Sequence, residues 1–207
     1  MRLPLSFRTT WGSFILHQPS PDAPREAPTP LVFLSAVTWD PESGKGMTHF
    51  SSMFAEKGFT CMQVDMLPPT NSETLSASEL MTHFDAELKH SIRSAMIPFA
   101  PVIVARSAAC IIAQTYISSN PATGLCLISP PVSNRVIINT FLKTSLEEFN
   151  FEPRFPVTVL ATSTTMRDLK RHNRLCQDPY VKAKELNSLE DEEILVNLEY
   201  WLDDLGI

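Results

Sequence analysis

Residues 101–119, Pro-Val-Ile-Val-Ala-Arg-Ser-Ala-Ala-Cys-Ile-Ile-Ala-Gln-Thr-Tyr-Ile-Ser-Ser, constrain this chain more than any other stretch. Val102 to Ala105 form a short apolar run rich in β-branching, the signature of a buried strand, and Ala108 to Tyr116 resume with apolar residues at helical spacing. Only Arg106 and Ser107 separate the two. A strand that becomes a helix within two residues lifts the turn side chain off the sheet. It also aims the next backbone N–H groups at the same point. Such a turn displays a serine as a nucleophile.

The elements on either side alternate. Leu3 to Arg8 and Ser13 to His17, hinged at Trp11-Gly12, read as an antiparallel pair, and the five prolines in Gln18 to Pro30 read as a surface loop. Leu31 to Val37 is a continuous apolar strand covered on both faces. Met47, Phe50, Met53 and Phe54 make a helix that Gly58 stops, and Phe59 to Met66 is a strand parallel to the one before it. Met81, Phe84, Leu88, Ile92 and Met96 step along a long helix. Gly124 to Ser129 gives a further buried strand, Val132 to Phe149 one or two short helices, and Pro156 to Thr162 another strand. Asp168 to Cys176 reads as a helix, Tyr180 to Leu186 as the last strand and Leu189 to Leu205 as a terminal helix. The pattern predicts an α/β fold: a mostly parallel central sheet flanked by helices, in a single domain spanning 1–207.

Composition narrows the partners. A net charge of −6 argues against a nucleic-acid surface, and no run of 18 apolar residues is available to span a bilayer. Cys61, Cys110, Cys126 and Cys176 lack metal-site spacing, and three lie in apolar strand or helix patterns where a buried thiol is ordinary. No metal and no cofactor is expected. The chain reads as cytoplasmic, with a mitochondrial location as the alternative suggested by Arg2 and Arg8 in an acid-free start.

Ala105-Arg106-Ser107-Ala108-Ala109, between that strand and that helix, resembles the G-x-S-x-G nucleophile elbow of the α/β-hydrolases with alanine at both glycine positions. The order of elements resembles that family over almost the whole chain. The 25 or so residues around 132–149 are too few for a separate lid domain. The resemblance implies Ser107 as nucleophile, with an oxyanion hole made by the N–H of Ala108 and that of Ala36 or Val37. The family's acid follows the strand Pro156 to Thr162, where this chain has Thr164 and Thr165, with Asp168 a little further on. Its base follows the last strand, where the chain has Asn187 and Ser188 and no histidine. His172 is the histidine between the acid position and the C-terminus, and His49 is a more distant alternative. The triad so implied is Ser107, Asp168 and His172; the ordinary alternatives are a helix-start acid for Asp168 and a surface or core histidine for His172 and His49.

Arg167, Lys170, Arg171 and Arg174 are spaced to share one helical face, either an anion-binding stripe or a solvated polar face. Two functions follow. The first is an α/β-hydrolase-like binding or scaffold protein, a pseudoenzyme with weak or no hydrolase activity, acting on a protein partner. The alternative is a serine hydrolase of esterase or thioesterase type that takes a small-molecule ester or acyl ligand.

Overall fold

The computed structural model describes residues 5–9 and 12–207, with side chains from Phe14 onward. Leu3 and Trp11, read above as part of the opening hairpin, lie outside the described residues.

An 8-stranded sheet runs in the order β1-β2-β4-β3-β5-β6-β7-β8. Strands β1 (Leu5–Thr9) and β2 (Gly12–His17) pair antiparallel, and β2 pairs antiparallel with β4 (Phe59–Asp65). From β4 onward every pairing is parallel, through β3 (Ala27–Ser35), β5 (Val102–Arg106), β6 (Gly124–Ile128), β7 (Val157–Thr162) and β8 (Val181–Leu186). The fully buried runs Leu31–Leu34 and Val102–Ala105 lie side by side at the centre, as their unbroken apolar character requires.

Alternation along each strand splits the core into two layers. Val32, Leu34, Ile103, Ala105, Leu125 and Leu127 face one side, where they meet α2 (Ala77–Ser94), α3 (Ala109–Ile117) and α4 (Ser163–His172). Leu31, Phe33, Val102, Val104, Cys126 and Ile128 face the other, against α1 (Met47–Glu56) and the terminal α6 (Asp191–Asp204). There the Phe33 ring meets Phe50 and Phe54 at centroid distances of 6.4 and 6.1 Å. Each such ring contributes roughly 2 to 3 kcal/mol by leaving water.

Three segments differ from the reading above. Strand β3 begins at Ala27, inside the proline-rich segment; its register with β4 shifts between Ala27 and Leu31, and pairing with β5 starts only at Leu31. Pro28 and Pro30 therefore occupy the irregular part of the strand, where no ladder N–H is demanded. Residues 132–149 form turns in place of helices, with a left-handed Asn139 at φ 68° and an Ile138–Leu142 bridge. A left-handed residue and β-branched neighbours oppose helix propagation. The helix read from Asp168 to Cys176 is two: α4 starts at Ser163, and extended Asn173 separates it from α5 (Arg174–Gln177), capping the latter through Leu175 N–H.

Two positions yield predictions. Gly58 has φ 99°, and a Cβ there would stand 1.8 Å from the Arg25 carbonyl oxygen. Gly58→Ala should lower stability by about 2 kcal/mol or more, read by urea unfolding, since left-handed strain alone costs an alanine about 1 kcal/mol. Glu87 lies on the inner face of α2 at 5% exposure, and burial pushes its carboxyl up to about 7, opposed by a hydrogen bond from the Leu67 backbone. From about pH 4.5 to pH 7 the folded state thus keeps a proton that the unfolded state has lost. Stability should fall as pH rises through that window and level off above it. Glu87→Gln should flatten the fall and gain about 1 to 2 kcal/mol at pH 8, with one pKa unit taken as 1.36 kcal/mol.

Candidate active site

The carboxyl ends of the parallel strands bring together Ser35, Asp65, Arg106, Ile128, Thr162 and Leu186, and the loops that follow them form the candidate site. Ser107 follows β5 directly and has φ 53°. A serine held in this region costs on the order of 1 to 3 kcal/mol, and the fold sustains it by tying Ser107 N–H to the Ile128 carbonyl at 2.9 Å. Ala108 caps α3, whose N-terminus therefore opens beside Ser107. Beneath it the Cys110 thiol is fully buried, its sulfur 3.4 Å from the Ala105 carbonyl oxygen, and burial drives its pKa up. This is the elbow geometry expected from the sequence, built with alanines in place of glycines.

Arg106 fixes the elbow from the other face of the sheet. Arg106 is 6% exposed, and its guanidinium donates to the carbonyls of Lys45 at 3.4 Å and Leu189 at 3.3 Å and lies 4.0 Å from Asp191 Oδ1. One side chain thus joins the approaches to α1 and α6 to the nucleophile turn.

The N–H groups expected from the resemblance to serve as oxyanion donors each already have an acceptor. Ala108 N–H donates to Asp40 Oδ2 at 2.8 Å, Ala36 N–H to Ser43 Oγ at 2.9 Å, and Val37 N–H to Asp65 Oδ1 at 2.9 Å. Asp40 is 2% exposed and spends its other oxygen on Glu42 N–H at 3.0 Å, where it caps the short 3-10 turn Pro41–Gly44. Ser43 donates back to the Asp40 carbonyl at 2.5 Å, and Asp65 also accepts from Ser35 Oγ at 2.8 Å. A carboxylate at a helix N-terminus is stabilised by the helix dipole and by the N–H it accepts, so Asp40 takes up the interaction an oxyanion would otherwise receive.

The remaining triad positions are apart from Ser107. Helix α4 starts without a loop after β7, so Thr164 and Thr165 lie in its first turn, hydrogen-bonded to Thr162 Oγ1 at 3.2 Å. Asp168 and His172 are exposed on the same helix, whose 10 residues run back from the carboxyl edge by about 15 Å. Neither hydrogen-bonds Ser107, whose hydroxyl has no hydrogen-bond partner among the described residues. The pairing of Ser107 with Asp168 and His172 drawn from the sequence is therefore not formed, because the helix starts five residues earlier than its pattern suggests. His49 is exposed in the first turn of α1. In the loop after β8, where the family has its base, Glu193 accepts the N–H groups of Asn187 and Ser188 at 2.8 and 2.9 Å and the Ser188 hydroxyl at 2.9 Å.

The basic stripe is divided. Arg167, Lys170 and Arg171 are exposed on α4, and Lys170 pairs with Glu185 at 2.8 Å. Arg174 lies past the break at Asn173, so it leaves their face and donates to the Phe151 carbonyl at 2.9 Å. Sequence reasoning missed Asp40, Ser43, Asp65 and Glu193. The available signals were Asp40 ahead of Pro41, a capping residue before a helix-initiating proline, and Asp65 at a strand's carboxyl end.

No helix among the described residues is long and apolar enough to cross a membrane. No protein-family model matches the sequence, and no curated protein matches it significantly. Solved structures do resemble it. An α/β serine hydrolase without a lid from Xanthomonas campestris matches 98% of this chain and 92% of its own, at 11% identity and a TM-score of 0.64. A lipase/esterase from Lactobacillus plantarum matches 100% and 99%, at 11% identity and 0.63, and the esterase domain of a Rhodothermus marinus protein 96% and 96%, at 13% and 0.60. With the parallel sheet, the left-handed Ser107 and no inserted lid among the described residues, these likenesses establish that the chain has the α/β-hydrolase fold without a separate lid domain.

Proposed function

We propose that this protein uses the α/β-hydrolase scaffold for binding, as a single domain, and has weak or no hydrolase activity. One observation carries the reading: Ala108, Ala36 and Val37, the three N–H groups available to an oxyanion hole, donate to Asp40, Ser43 and Asp65. A tetrahedral oxyanion would have to displace a buried, doubly hydrogen-bonded carboxylate from Ala108, and it would meet that negative charge at close range. No imidazole among the described residues hydrogen-bonds the Ser107 hydroxyl, and a hydroxyl without a base in reach is a weak nucleophile. The ligand is a small acyl-type molecule or a protein partner at the carboxyl edge around Ser107. The compartment is a reducing one, cytoplasmic by preference, in keeping with the four free thiols. Arg167 and Arg171, which keep their charges in solvent, are the part of the stripe that remains to meet an anionic group.

A serine ester hydrolase is the second reading, favoured by a specific pair of observations. Ser107 has the left-handed elbow conformation, and the similar solved structures are described as esterases, lipases and serine hydrolases. Activity on this reading requires Asp40 to leave Ala108 N–H.

Fluorophosphonate labelling and p-nitrophenyl acetate hydrolysis separate the two. The binding reading expects labelling at background and hydrolysis that Ser107→Ala leaves within about twofold, since oxyanion donors and binding alone sustain only ~10³-fold over water when a triad is broken. Labelling of the wild type that disappears in Ser107→Ala would establish the hydrolase. A further variant reports on the plug: Asp40→Ala should cost about 1 kcal/mol through the lost cap and raise Ser107 labelling above the wild-type level.

A further inference from the structure

The amino ends of β3, β4 and β5, at the opposite edge of the sheet from Ser107, present an apolar face to solvent. Glu26, Pro28, Pro30, Thr60, Pro98 and Phe99 line a cavity of about 360 Å³ there, and Phe99 is 58% exposed. Beside it projects Met96, 85% exposed, the most of any large apolar residue described. Met96 follows the last turn of α2, where its N–H donates to the Arg93 carbonyl at 3.1 Å, and its φ is 51°. Helices commonly end in this left-handed conformation with glycine, because a Cβ is strained there. A methionine at this point carries that strain and puts its whole side chain in water. Neither stabilises a single copy of the chain.

Two charges frame the face. Glu26 lines the cavity and Arg93 stands three residues before Met96; both are exposed, and neither makes an ion pair among the described residues. One surface therefore carries a projecting side chain with a base beside it and a hollow with an acid at its rim. A two-fold contact requires this kind of self-complementarity, since residue i of one copy meets j of the other and j meets i. We propose that this face pairs two copies of the chain about a two-fold axis, Met96 of each entering the cavity of the other and Arg93 of each meeting Glu26 of the other. Methionine is unbranched and polarizable and fills irregular hollows, and prolines lose almost no side-chain entropy on being covered. Methionine and phenylalanine are also enriched at the centre of interfaces. The pairing leaves the carboxyl edge and Ser107 open to ligand.

Sedimentation equilibrium of the full chain tests the pairing. The face is small, so the wild type should dimerise with a dissociation constant on the order of 10 μM, the weak end of specific contacts. Met96→Gly should weaken dimerisation about tenfold or more and raise the urea midpoint of the monomer, because glycine relieves the left-handed strain. Arg93→Glu and Glu26→Arg should each weaken it about fivefold at low salt, since each sets like charges together at two symmetric places. Mixing those two variants should restore association, because every contact in the mixed dimer is then between opposite charges. A wild type that stays monomeric at ten times the expected dissociation constant would overturn the proposal and leave the face to a different protein. A dimer of unchanged affinity in Met96→Gly, or charge variants that fail to associate when mixed, would overturn it as well.

Discussion

The contact between the Asp40 carboxylate and Ala108 N–H joins parts of the chain 68 residues apart and decides what the elbow can do. Asp40 is almost wholly buried, and such a charge persists only if its oxygens are satisfied. One oxygen takes Glu42 N–H and starts the 3-10 turn; the other takes the first N–H of α3. The same turn presents Ser43, which accepts Ala36 N–H and donates to the Asp40 carbonyl. The loop after β3 is thereby a closed hydrogen-bonded unit, and the N-terminal end of α3 faces a carboxylate of the protein itself.

The rest of the carboxyl edge is arranged in the same way. Asp65 closes Val37 N–H and Ser35, and Glu193 closes the loop of Asn187 and Ser188. Arg106, buried beneath the elbow, holds the approaches to α1 and α6 in place. Two serines at this edge, Ser107 and Ser129, have left-handed backbones, at φ 53° and 47°, and the hydroxyl of Ser107 has no hydrogen-bond partner among the described residues.

Local pattern made the framework readable and left the site hidden. Apolar runs such as Leu31 to Leu34 and Val102 to Ala105 announce central strands because each side chain in them must be buried, and the break at Arg106-Ser107 announces the turn. The helix start at Ser163 leaves no pattern because Ser-Thr-Thr is a weak helix former, while tertiary packing of Met166 and Leu169 sets it. The turns of 132–149 were missed because Asn139's left-handed backbone has no periodic signature. The partner of Asp40 is Ala108, and no spacing rule links positions so far apart. The lack of a histidine after the last strand is plain in the sequence, whereas the acceptors of the Ala108, Ala36 and Val37 N–H groups come from contacts between distant segments.

Amide hydrogen exchange at Ala108, resolved by NMR, tests this account most directly. If Asp40 holds the N–H, exchange in the wild type is slow and accelerates by about tenfold or more in Asp40→Ala, while Leu125 and Ile103 in the central sheet keep their protection. Fast exchange of Ala108 in the wild type, or a rate that Asp40→Ala leaves unchanged, would contradict it and leave the oxyanion hole open for catalysis.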